Sequence, residues 1–205
     1  MGRVSDAKER LTKAVAELIW TGSYGSTTIE QICERAGVRK GSFYHFFESK
    51  SEVAALAIQE EWENCRAELD RIFSPTAPPL LRLRRFCQHA YREQVELKRQ
   101  FGHVLGCPLC NLGTEISTME ADLRQTVQRI MAEAQSYLVS TVRDAQAAGL
   151  LKKCDPAAKA RALYAYSEGL LTQARIHDDT EVLLEMERGM LDILGLNETA
   201  RVSKT

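Results

Sequence analysis

The chain has no apolar run approaching the roughly 18 to 20 residues that a membrane-spanning helix needs. Its amino terminus, Met1-Gly2-Arg3-Val4-Ser5-Asp6, has none of the apolar core of an export signal. Together these absences predict a soluble, cytoplasmic protein with no membrane partner. There is no excess of charge of either sign: 27 Lys and Arg against 28 Asp and Glu leave the chain formally at −1. An anionic partner would therefore have to be met by a local concentration of cations. Strand-like alternation is almost missing, and with it the strand-helix-strand setting of a nucleotide fold or a thioredoxin-like couple. No glycine-rich phosphate loop occurs, nor a strand-to-helix elbow around a serine. An enzyme imagined on His103 with Cys107 or Glu115 lacks its context, so no catalytic residue and no cofactor are expected. Six cysteines without an export signal read as reduced thiols rather than a disulfide framework. A zinc site from His103, Cys107 and Cys110 lacks the second cysteine pair that tetrahedral ligation favours, and no metal is expected.

What is present is helical periodicity from end to end. At 205 residues, 44% of them hydrophobic, the chain can form one domain or a small head joined to a larger body. Leu11, Val15, Leu18 and Ile19 give a first helix that ends at Gly22-Ser23-Tyr24-Gly25. Residues 49–73 read as one long helix, with Ser49 as N-cap and Glu52 at the capping-box position. Ser74-Pro75-Thr76-Ala77-Pro78-Pro79 must break it, and the pattern resumes over 80–98. A further break over 102–113 precedes a long helix over 117–148, ended by Gly149. Asp155-Pro156 reads as N-cap and first residue of the next helix, and Asp179 or Thr180 starts the last.

The densest signal is Thr27 to Lys50. Thr27 or Thr28 can cap a short helix whose inward positions are Ile29, Ile32, Cys33 and Ala36. Gly37 supplies a turn, and Phe43, Phe46 and Phe47 then mark the buried face of a second short helix. Tyr44 and His45 are left facing outward. Two helices joined by a short glycine turn pack steeply only where the facing residues are small, as Cys33 and Ala36 are. From Arg35 to Lys50 the charges are Arg35, Arg39, Lys40 and Lys50 against Glu48 alone, a cationic patch on a neutral chain.

Thr27-Thr28-Ile29, Ile32-Cys33, Ala36-Gly37-Val38 and Gly41-Ser42-Phe43-Tyr44-His45-Phe46-Phe47, followed by Ser49-Lys50, resemble the TetR family of bacterial transcriptional repressors over the first fifty to sixty residues. The resemblance implies an all-α protein. A three-helix helix-turn-helix head over residues 1–50 would be followed by an effector-binding and dimerisation body over 51–205. It also implies a repressor that binds palindromic operator DNA as a homodimer and is released by a small-molecule effector. Carried over position by position, the DNA contacts are Thr27, Thr28, Arg39, Lys40, Gly41, Ser42, Tyr44, His45 and Lys50. Thr28, Tyr44, His45 and Lys50 would touch phosphates, and Arg39 to Ser42 would lie nearest base edges.

The last two helices are apolar over much of their circumference. Leu163, Tyr166, Leu170, Leu183, Met186 and Met190 are therefore expected in a four-helix dimer interface. Aromatic walls with few polar groups make a pocket, and the candidates are Phe86, His89, Tyr91, Phe101, His103, Cys107, Cys110, Asn111, Tyr137, Tyr166 and His177. If Pro108 opens a helix, Cys107 is its N-cap and Cys110 lies in its first turn, where the dipole favours a thiolate. A thiol-reactive effector or a cysteine-based redox sensor then stands beside the reading of these residues as core or cavity wall. A helical protein-binding adaptor is the remaining alternative, and it would make the Arg39 to Lys50 surface incidental.

Overall fold

The structure is a computed structural model and describes residues 2–116 and 120–196. Among these are nine α-helices: α1 (Gly2–Thr21), α2 (Ile29–Ala36), α3 (Lys40–Phe46), α4 (Lys50–Ile72), α5 (Pro79–Phe101), α6 (Pro108–Ile116), α7 (Ala121–Ala147), α8 (Pro156–His177) and α9 (Met186–Leu194), with a 3-10 turn at Glu181–Glu185. The extended backbone described is an isolated antiparallel bridge between Leu151 and Leu196. The predicted start of the seventh helix at 117–119 lies outside the described residues. Two compact units result: Met1–Arg66 with Pro108–Met131, and Ala67–Cys107 with Ala132–Thr205.

In the first unit the local signals act as chemistry requires. Thr28 is the N-cap of α2: its Oγ1 accepts from Gln31 N at 3.2 Å while Gln31 Oε1 accepts from Thr28 N at 2.8 Å. This reciprocal box satisfies two of the orphan donors at a helix start. Gly37 ends the helix at φ +64, a left-handed conformation that other residues resist. Arg10 of α1 donates to the Ala36 carbonyl at 2.9 Å, placing a cation at the negative end of α2. Leu11 and Val15 of α1, Ile32 of α2, Phe43 of α3 and Val53 of α4 are each fully buried in this unit. Ser49 caps α4 by accepting from Glu52 N at 3.1 Å, whereas the Glu52 carboxylate reaches one residue further back, to Glu48 N at 2.7 Å.

In the second unit Pro79 opens α5, as a residue with no N–H to lose. Arg82, 2% exposed, is enclosed beneath this corner. Its Nε donates to Ala77 O at 2.8 Å, its Nη2 to Pro75 O at 2.9 Å, and its Nη1 to Asp144 Oδ2 of α7 at 2.5 Å. Buried Gln94 closes the far end of α5 in the same manner, accepting from Gly106 N at 2.8 Å and donating to Gly106 O at 3.3 Å. Asp155 caps α8 by accepting from Ala157 N at 2.9 Å.

Two expectations are corrected. The segment 102–113, read as a break, contains α6 from Pro108 onward: a nine-residue helix is too short to show a sustained period. The residues expected to face a second copy point inward instead. Leu163, Leu170, Leu183, Met186 and Met190 are all buried within the chain itself, and Tyr166 is half-buried with its ring against Gly189 of α9. Side chains enclosed by their own chain have no surface left for a partner. The outward positions of α8 are Ala162, Ala165, Gly169, Thr172 and Ile176, spaced by alternating threes and fours. Ile176 is 71% exposed, and Leu184 in the 3-10 turn is 58% exposed.

Candidate nucleic-acid interface

Helix α3 is seven residues long, too short to persist alone, and is held by what it buries. Phe43 is fully enclosed and Phe47, the residue that ends the helix, nearly so, their rings 5.7 Å apart. Phe46, expected on the same buried face, is half-buried and meets His45 edge-on at 4.9 Å. With that face inward, Arg39, Lys40, Gly41, Tyr44 and His45 are all exposed, and Ser42 is half-buried. Tyr44 stands 53% exposed with its ring braced edge-on against Phe43 at 5.4 Å, so its hydroxyl is presented on a fixed support. Lys40 pairs with Glu30 of α2, and each holds the other's charged form. Both are solvent-exposed, so a competing phosphate displaces the pair at little cost.

Gly41 has a particular meaning here. A Cβ built on it would meet nothing within 4 Å, and its backbone needs no positive φ. The fold therefore makes no demand for glycine at this helical, outward position, where it costs about 0.5–1 kcal/mol relative to alanine.

Two of the expected contacts are placed elsewhere. Thr27 is buried, 5% exposed, with its hydroxyl donating to Ser23 O at 2.7 Å. Lys50 turns into the α1–α2 turn: Nζ donates to Tyr24 O at 2.8 Å and Thr27 O at 2.9 Å and lies 4.1 Å from the Tyr24 ring centroid. Burial holds its pKa below the usual lysine value. The same turn is gripped from α6 and the start of α7, a connection with no sequence signal. Gly25 N donates to Glu115 Oε2 at 2.9 Å, and the Tyr24 hydroxyl donates to Glu120 Oε1 at 3.1 Å.

The expected effector residues are distributed over both units. Phe86 and Tyr137 both pack on Phe73, with centroids at 5.5 and 5.2 Å. His89 is half-buried near Glu68, its pKa held down by burial. The Tyr91 hydroxyl faces Glu181 at 3.5 Å. His103 is exposed, 3.7 Å from Asp178, and His177 is exposed. Phe101 is half-buried at the end of α5. Cys110 and Asn111 belong to the first unit. Pro108 does open α6, so Cys107 immediately precedes the helix and Cys110 sits in its first turn. Both are half-buried, and neither is joined in a disulfide. By contrast, burial pushes the Cys87 thiol up to about 12, and its S–H faces Met190 Sδ at 3.6 Å. No helix among the described residues is long and apolar enough to cross a membrane.

Comparison with known proteins bears on both parts of the chain. The family described as bacterial regulatory proteins, tetR family, matches residues 11–57. The family described as tetracyclin repressor-like, C-terminal domain, matches residues 79–190. The transcriptional regulator AcuR of Cereibacter sphaeroides is 32% identical, over 83% of this chain and 77% of its own. The HTH-type transcriptional repressor NemR of Escherichia coli is 24% identical, over 87% of this chain and 88% of its own. Among solved structures, a regulatory protein TetR from Rhodobacter sphaeroides superposes with a TM-score of 0.79 at 30% identity, covering 90% of this chain and 96% of that one.

Proposed function

Since this chain belongs to the TetR family of transcriptional regulators, we propose that it is an effector-responsive repressor that reads a palindromic operator as a homodimer through the outer face of α3. The observation that carries this is the exposed row of donors on a helix anchored by Phe43, together with a glycine the fold itself does not need. Arg39 and Lys40 are the base-reading side chains, suited to guanine O6 and N7. Thr28, Tyr44 and His45 position the head on phosphates, with Ser42 beside the bases. Lys50 serves by holding the start of α2 instead of meeting a phosphate. Residues 1–50 act as the DNA-binding head and residues 51–205 as the effector-binding and dimerising body.

The dimer forms on the outward stripe of α8. Ala162, Ala165 and Gly169 let two copies approach closely, and Ile176 and Leu184 bury apolar surface. Because α4 starts at the head and continues into the body, an effector that prefers one head spacing changes operator affinity by its differential binding to the two states. A second reading rests on Cys107 and Cys110 at the start of α6, where a thiol-reactive effector would act. Operator binding indifferent both to peroxide and to Cys107→Ser removes it.

Selection of bound duplexes from a random pool tests the main reading. A palindrome with half-site centres about one helical turn apart is the expected winner, and a pool with no enriched sequence contradicts it. On the selected duplex, Arg39→Ala should lose about 1–3 kcal/mol of affinity and relax preference at one base pair. Binding unchanged in both respects would remove Arg39 from the reading head. Gly41→Ala should separate stability from function. The free protein gains about 0.5–1 kcal/mol in chemical denaturation, while gel-shift affinity falls because the new methyl group stands where the DNA must approach. A variant that is more stable and binds equally well would show that no backbone approach occurs at residue 41.

A further inference from the structure

We propose that Cys107, Cys110 and Glu168 form a binding site for a thiophilic divalent cation of the zinc class. Cys107 Sγ lies within 4.8 Å both of the Cys110 Sγ and of a Glu168 carboxylate oxygen. All three residues are half-buried, and the Glu168 Oε2 is shielded from solvent. Ligand atoms around one zinc ion stand about 3.5–3.8 Å apart, given bonds of about 2.3 Å to sulfur and about 2.0–2.2 Å to oxygen. The three groups therefore close on an ion by side-chain shifts of about 1 Å.

The backbone brings Cys107 to Glu168 within the second unit. Gly106, at φ +67, lies flush against α8: a Cβ built on it would stand 3.4 Å from Leu171 O and 3.6 Å from the Arg175 side chain. Buried Gln94 pairs with both backbone groups of Gly106, and Arg175 Nη1 donates to Leu105 O at 3.2 Å. Glu168 and Arg175, two turns apart on α8, share the face that receives this segment. Pro108 then opens α6, and Cys110 follows in its first turn. The first thiol is thus positioned by the fold itself, before any ion binds. Two thiolates select zinc, cadmium and similar ions over magnesium or calcium, which take oxygen ligands. Three protein ligands leave the fourth tetrahedral position open, as suits an ion that exchanges. The carboxylate of α8 takes the place that the sequence offered to His103, which is exposed 3.7 Å from Asp178. On binding, each thiol gives its proton to solvent as a sulfur lone pair enters the metal shell, the carboxylate binds ionised, and no electron is transferred.

The cation gives the reading of Cys107 and Cys110 as an effector site a chemical class, and only its consequence at DNA rests on the operator-binding reading. Helix α6 carries Glu115, which accepts from Gly25 N of the head. An ion that fixes the first turn of α6 biases operator affinity by its differential binding to the two head states.

The test is metal titration of the full chain, kept reduced and without DNA. Cadmium chloride is followed by its ultraviolet thiolate-to-metal charge-transfer band, and zinc chloride by competition with a chromophoric chelator. Saturation at one equivalent of either ion is expected. Cys107→Ser and Cys110→Ser should each weaken zinc by about a hundredfold or more and reduce the cadmium band, whereas Glu168→Gln should keep the band and weaken zinc by about tenfold or more. No saturable one-to-one binding, or affinity undiminished in the serine variants or in Glu168→Gln, overturns the site. Should a variant fail to fold, alkylation of the wild-type protein decides. Zinc is expected to protect Cys107 and Cys110 from iodoacetamide, and equal labelling of both with and without zinc overturns the site. A gel shift at saturating zinc then tests the effector role: unchanged operator affinity ends that role. Failure to bind any duplex with or without zinc counts against the operator-binding reading and leaves the titration result standing.

Discussion

Phe43→Ala should destabilise the head by about 3–5 kcal/mol, the cost of emptying a fully buried phenyl site, and gel-shift binding should vanish with it. The side chain is fully enclosed, supports the Tyr44 ring edge-on at 5.4 Å, and touches the Phe47 ring. A seven-residue helix has no independent stability to fall back on, so losing its anchor unfolds the surface that carries Arg39 to His45. The contrast with Phe46→Ala is part of the prediction. Phe46 is half-buried, and its truncation should cost well under half as much. Denaturant titration of the two variants checks the ranking, and equal costs would mean that the face of α3 has been assigned wrongly.

Arg82→Ala carries the second large effect, a loss of about 3–5 kcal/mol from the second unit. The guanidinium is 2% exposed and serves three acceptors at once, the carbonyls of Pro75 and Ala77 and the Asp144 carboxylate. Asp144 is half-exposed and can be rehydrated. The two carbonyls of the corner would lose their donor, and each buried acceptor left unpaired costs about 1–3 kcal/mol. Arg82→Lys should recover only a minor part, because an ammonium on a flexible stem does not reproduce a planar fork aimed in three directions. A melting curve unchanged by Arg82→Ala would show that the corner between α4 and α5 holds without this arginine.

The head was legible in the sequence because its determinants are local. A threonine cap, a glycine at a left-handed position and aromatics at helical spacing act within a few residues of one another, and the cap, the glycine, Phe43 and Phe47 appear in the structure where they were expected, Phe46 being only half-buried. Thr27 and Lys50 could not be placed in the same way, since their environment is the α1–α2 turn, brought to them by the fold. On α8 the apolar character was visible but its direction was not. The large residues at Leu163 and Leu170 face the chain's own core, and the outward stripe is Ala, Ala, Gly and Thr before Ile176. Residues that small carry little weight in a hydrophobic pattern, although they are what permits two helices to approach. Nothing in the sequence sets Arg82 apart from the other arginines of its helix. Its partner Asp144 is far away in sequence.

The central claim is that the outer face of α3 meets the phosphate-lined groove of duplex DNA. The salt dependence of operator binding, measured for the wild-type protein and for a variant lacking both Arg39 and Lys40, tests it most directly. The account predicts a steep linear fall of log Kobs with log salt for the wild type. It also predicts a slope shallower by roughly one to two units for the variant, as each cation that neutralises a phosphate is removed. Wild-type binding indifferent to salt, or the same slope with and without the two cations, would contradict it.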